Sequence, residues 1–138
     1  MRTSKPGAQV KPRKRRGPRM PAALLTALRK LELADVPVPS PRAGEVLIEL
    51  CAVGVCGSDL HYWRLGRIGP QLVEFPALLG HEPAGRIVAL GKGVTRLAEG
   101  DLVCVEPGIS CGRCKPCLTG RANLCRRVRF LGSPGFTG

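Results

Sequence analysis

From Leu24 onward the chain is a succession of short apolar runs broken by glycine and proline. Glu45-Val46-Leu47-Ile48-Glu49-Leu50-Cys51-Ala52-Val53 is bounded by Arg42-Ala43-Gly44 and by Gly54, which predicts a strand. Arg86–Leu90 and Asp101–Glu106 read likewise, each next to a glycine turn, Gly91-Lys92-Gly93 or Glu99-Gly100. Segments this short at this spacing favour a β-barrel or sandwich over a doubly wound parallel sheet. No GxGxxG follows a strand, so no dinucleotide-binding unit is recognisable. Residues 132–138 are loop chemistry without a closing element, and the sequence reads as stopping in mid-protein.

Composition changes this picture only at the N-terminus. The 43% hydrophobic and 23% charged content is that of a globular chain, and 138 residues suffice for one domain with a core. No run of about 18 apolar residues exists to span a bilayer. The net charge of +12 is unevenly spread, since residues 1–30 carry ten Lys/Arg and no Asp/Glu, against twelve and ten in the remainder. Residues 1–20 therefore predict a disordered basic tail, too poor in apolar residues to offset the entropy of ordering. Lys11-Pro12-Arg13-Lys14-Arg15-Arg16 fits a localisation or polyanion-binding patch, but a solvated extension ahead of a functional start at Met20 is the simpler reading. No apolar stretch follows the charges to make a secretory signal, so a cytoplasmic setting is expected.

The seven cysteines add chemistry. An odd count without a signal argues against a disulfide framework, and a CxxC turn aims both sulfurs at one point. Cys111, Cys114, Cys117 and Cys125 supply the four thiolates of a closed structural zinc site. An iron–sulfur cluster also takes four thiolates. In the bacterial ferredoxin run, however, the fourth cysteine follows after three residues and precedes proline, whereas Cys125 precedes Arg126. Arg113, Lys115, Arg121, Arg126 and Arg127 flank the sulfurs and offset the negative charge of a zinc tetrathiolate. Cys51 and Cys104, within strands, read as buried fillers.

A closed zinc explains a lobe but no activity. Val55-Cys56-Gly57-Ser58-Asp59-Leu60-His61 and Leu79-Gly80-His81-Glu82-Pro83-Ala84-Gly85 each offer thiol or imidazole beside carboxylates, the mixture a catalytic zinc uses when one position stays open. Either alone is weak, because a lone cysteine or histidine is more often a packed or solvated group.

Taken together these motifs resemble the zinc-containing medium-chain alcohol dehydrogenases. GHEPAGRIVALGKGV at Gly80–Val94, with Gly85 and Gly91 in place, is similar to the family's signature, and CGSDLH at Cys56–His61 and CGRCKPCLTGRANLC at Cys111–Cys125 follow in its order and spacing. His61–Gly69 and Val105–Gly108 most resemble the polyol branch, the sorbitol, xylitol and arabinitol dehydrogenases. The resemblance implies a mainly β, GroES-like, partly open barrel over residues 21–138, with short helices and a zinc-binding lobe. It implies that Cys56, His81 and Glu82 hold a catalytic zinc and that Asp59 orients the histidine. Ser58 would bind the alcohol hydroxyl and His61 would pass its proton to solvent, while Tyr62 and Phe130 would line the substrate pocket or pack in the core. It further implies oxidation of an alcohol or polyol to a ketone with NAD(P), and a homo-oligomer without membrane or nucleic-acid partners.

The family's Rossmann domain, and with it a further zinc ligand, has no counterpart in these residues, so the chain alone is expected to be inactive. Two other classes compete. A non-enzymatic zinc module that binds nucleic acid would need basic residues and exposed aromatics on the folded body, where aromatics are only 4% of the chain. A co-chaperonin-like scaffold would have no use for Cys56, His81 and Glu82 converging.

Overall fold

A computed structural model describes residues 17–136. Strands β1 (Arg19–Ala27) and β2 (Lys30–Pro37) form a hairpin, and β3 (Val46–Gly54) leads into helix α1 (Gly57–Leu65). Three short strands follow, β4 (Arg67–Ile68), β5 (Gln71–Leu72) and β6 (Ala77–Leu78), and then the long β7 (Glu82–Leu90). Next come β8 (Leu102–Cys104), β9 (Gly108–Ile109), helix α2 (Lys115–Leu118), a 3-10 turn at Ala122–Leu124 and β10 (Arg129–Phe130). Two antiparallel three-stranded sheets, ordered β2-β1-β6 and β3-β7-β8, make the frame, and β4-β5 and β9-β10 are two-stranded ribbons. This is the mainly β, partly open architecture that the family resemblance implies, built from the short strands that the sequence pattern predicts. Among the described residues no helix is long and apolar enough to cross a membrane.

The β1–β2 hairpin escaped the sequence reading because Arg19–Ala27 is rich in alanine and contains Pro21, which demotes a strand. Pro21 is tolerated because it pairs only with Asp35, while β6 joins β1 at Leu24 and Leu25 alone. The hairpin turns at Leu28-Arg29, where Arg29 takes a left-handed φ of 60° and donates its N–H to the Trp63 carbonyl at 2.7 Å. That bond ties the hairpin to α1. Because β1 starts at Arg19, ordered strand begins just before the expected boundary at residue 20; residues 1–16 of the expected tail lie outside the described residues.

The three foreseen strands exist with shifted ends. Glu45–Val53 is observed as Val46–Gly54, Arg86–Leu90 extends back to Glu82, and Asp101–Glu106 shortens to Leu102–Cys104. The strands of the β3–β7 ladder approach closely. Gly85 lies opposite Leu50, and a Cβ there would come within 2.1 Å of the Glu49 carbonyl oxygen, so only glycine lets the strands approach. Leu25, Ile87 and Tyr62 form the buried centre. The Tyr62 hydroxyl donates to Gln71 Oε1 at 2.9 Å, and burial, then the Asp59 charge, raises its pKa. Tyr62 is thus a core residue.

Cys51 and Cys104 are exposed, which corrects their reading as buried fillers. Cys51 falls where the β3–β7 register shifts between Leu50 and Ala52, and Cys104 ends β8, an edge strand paired only with β7. Neither position turns its side chain into packed interior.

Candidate metal centres

Two clusters of ligand atoms stand out among the described residues: Cys56 with His81 and Glu82, and the four cysteines of the lobe. In each, the ligand atoms all lie within 4.8 Å of one another.

The mixed cluster is assembled by one ladder. Gly54, the last residue of β3, pairs with Glu82, the first of β7. Cys56 follows Gly54 by two positions and His81 precedes Glu82 by one, so the register brings thiol, imidazole and carboxylate to the same end of the sheet. Cys56 is also the N-cap of α1, in extended conformation, and its N–H donates to Asp59 Oδ2 at 3.0 Å. A carboxylate accepting from the N-cap amide in the first turn favours the helix start through both the hydrogen bond and the helix dipole. The other oxygen, Asp59 Oδ1, is buried, has no hydrogen-bond partner and lies 3.5 Å from His81 Nδ1.

That orphaned oxygen is the fit test for a metal. A histidine that binds a metal through one nitrogen turns the other toward a carboxylate or carbonyl, which fixes the tautomer. Asp59 faces Nδ1 and leaves Nε2 for the metal. The donors, one thiol, one imidazole and one carboxylate, suit a zinc site with an open position. Both His81 and Asp59 are buried, and the Phe130 ring packs edge-on against His81 with centroids 5.3 Å apart. Phe130, foreseen as a pocket residue, therefore holds the ring of a candidate ligand, a role that its distant place in the sequence did not signal. Ser58 is half-buried and His61 exposed on α1, one turn from Cys56. An apolar hollow of about 350 Å³, lined by Val53, Gly54, Val55, Asp59, Leu60 and Trp63 among others, adjoins this end of the sheet.

The lobe passes its own test. A tetrahedral zinc with sulfur at about 2.3 Å separates its sulfurs by about 3.8 Å. Here Cys114 Sγ lies 3.4 Å from Cys117 Sγ and 3.9 Å from Cys125 Sγ, too far for a disulfide and close to the metal spacing. Cys114 caps α2, and the backbone N–H groups of Cys111 and Arg127 each donate to Cys125 Sγ at 3.3 Å. Backbone N–H groups of Cys117 and Arg126 lower the Cys114 thiol to about 6. The Arg113 N–H lowers Cys111, whereas burial pushes Cys117 up to about 11. Residues 111–130 carry six Lys/Arg and no Asp/Glu, whereas residues 31–110 carry six and ten. The net positive charge of residues 31–138 is thus concentrated on the segment that carries the four cysteines, an unevenness that the count over those residues conceals.

A family model described as the alcohol dehydrogenase GroES-like domain matches residues 42–138. Sorbitol dehydrogenase of Bacillus subtilis is 50% identical over 119 residues, covering 86% of this chain and 34% of that protein. L-arabinitol 4-dehydrogenase of Aspergillus niger is 53% identical over 95 residues, 69% of this chain and 25% of its own length. Among solved structures, galactitol-1-phosphate dehydrogenase from Escherichia coli superposes with a TM-score of 0.76 at 30% identity, over 86% of this chain and 34% of that one. A cobalt- and zinc-bound thermostable alcohol dehydrogenase from Pyrobaculum aerophilum gives 0.73 at 31% identity, over 87% and 36%. The chain spans between a quarter and a third of the length of these curated relatives.

Proposed function

The chain belongs to the alcohol dehydrogenase GroES-like domain family, and from that premise we propose that it is the metal-carrying portion of a zinc-dependent polyol dehydrogenase. The observation that carries the reading is the convergence of Cys56, His81 and Glu82, backed by the unpartnered oxygen of Asp59. The likeness to sorbitol and arabinitol dehydrogenases supports a polyol as substrate, oxidised to a ketone with NAD(P) as acceptor.

Cys56, His81 and Glu82 would hold the catalytic zinc, and Cys111, Cys114, Cys117 and Cys125 a structural one. When bound, the catalytic zinc supplies Lewis acidity that makes a substrate hydroxyl acidic near neutral pH. Asp59 fixes the His81 ring by facing Nδ1. Ser58, at the start of α1, accepts the hydroxyl proton, and His61, exposed on the same helix, hands it to solvent. NAD(P), when bound, would supply the hydride acceptor, and no residue described here is assigned to binding it. Cysteines gathered into metal centres and not into disulfides support a reducing, cytoplasmic setting. A homo-oligomer belongs to the same reading, testable by the solution mass of the longer protein.

The test is a chimera in which the matching third of Bacillus subtilis sorbitol dehydrogenase is replaced by this chain. Folded and zinc-loaded, it is expected to reduce NAD with sorbitol or arabinitol and to lose this on Cys56→Ser or Ser58→Ala. A folded chimera with two zinc ions and no polyol-dependent turnover would refute the reading.

A further inference from the structure

Gly54 and Glu82 face each other across the β3–β7 ladder, and the Glu82 side chain lies over the glycine. A Cβ added at Gly54 would meet Glu82 Oε2 at 2.2 Å, its Cβ at 3.0 Å and its Cδ at 3.3 Å. The backbone gives no reason for glycine here, since Gly54 does not take the positive φ found at ten other glycines. Glycine in a strand costs about 0.5–1 kcal/mol relative to alanine. At Gly85 the obstructing atom is a backbone carbonyl; at Gly54 the most crowded atom is the movable end of a side chain.

We propose that Gly54 is a positioning residue: its missing side chain is the space in which the Glu82 carboxylate folds back toward Cys56 and His81, so residue 54 decides whether the glutamate joins the metal centre. A methyl group at position 54 displaces the carboxylate and leaves strand pairing intact. The inference rests on the metal centre proposed above and adds what controls its third donor. It also explains why an exposed strand end that alanine could occupy carries glycine.

The test uses this chain with its four-cysteine lobe first filled by one equivalent of zinc. Cobalt(II) is then titrated into the wild type, Gly54→Ala, Glu82→Ala and the double variant, followed by the visible ligand-field absorption. The wild type is expected to take up a second metal equivalent. Gly54→Ala is expected to weaken it by about 10–100-fold, the range for losing an orienting partner, as does Glu82→Ala, with a matching change of spectrum. The double variant is expected to be no weaker than either single one, and Gly54→Ala to melt at or above the wild-type temperature. Wild-type cobalt affinity in Gly54→Ala, losses that multiply in the double variant, or a clear drop in melting temperature each overturn the proposal while leaving the metal centre standing. A wild type with no second equivalent overturns the metal-centre reading and this proposal together.

Discussion

Asp59 Oδ1 lies 3.5 Å from His81 Nδ1, with both residues buried, while Asp59 Oδ2 accepts the N–H of Cys56. One carboxylate thus holds two of the three candidate ligands of the mixed centre. Asp59→Asn keeps the shape and removes the charge, and is expected to weaken zinc or cobalt binding there by about 10–100-fold. Asp59→Ala is expected to lose in addition about 1 kcal/mol of stability from the helix cap. Chelator competition and denaturant unfolding separate the two effects.

Cys111→Ser is expected to abolish the tight metal of the lobe, whereas Cys51→Ser, at an exposed strand position, is expected to change nothing. Metal content by elemental analysis after reductive purification checks this, with zinc near one equivalent in the starting chain. Chelating that zinc is expected to open residues 111–130 to trypsin, which has five exposed arginines there to cut at, Lys115 being protected by Pro116. Iron with visible absorbance in place of zinc would overturn the assignment.

The lobe also predicts a pH dependence. Zinc binds thiolates, so every thiol still protonated at the working pH must release its proton. Cys117, pushed up to about 11, is protonated throughout the neutral range, and zinc affinity is expected to fall at least tenfold for each pH unit lost between about 8 and 6. Below about 6 Cys114 takes a proton as well, and the fall steepens. Competition with a colorimetric chelator across this range, with proton release measured calorimetrically, gives both slopes.

Gly85→Ala and Gly54→Ala are the same change in the same ladder with opposite expected results. At Gly85 the added carbon meets the Glu49 carbonyl at 2.1 Å, which the paired backbone cannot relieve, and a loss of about 1–3 kcal/mol or more is expected in urea unfolding. Gly54→Ala is expected to hold or gain stability.

Local sequence carried the ligand chemistry because thiols, imidazoles and turn glycines act through identity and short spacing. Cys111, Cys114, Cys117 and Cys125 were legible as a clamp, Cys56 and His81-Glu82 as candidate donors, and the three apolar runs as strands of a mainly β fold. The β1–β2 hairpin was not legible, because Pro21 and the alanines of β1 carry little strand propensity and the pairing itself stabilises them.

What only the tertiary structure decided are the relations that depend on register between distant segments. The pairing of Gly54 with Glu82 brings the donors of the mixed centre together, and the packing of Phe130 on His81 fixes a ring from far along the chain. The exposure of Cys51 and Cys104 follows from a register shift and an edge position. A strand's alternation states which residues share a face, but a ladder's register is set by the best joint packing of two whole segments, and no single segment contains that information.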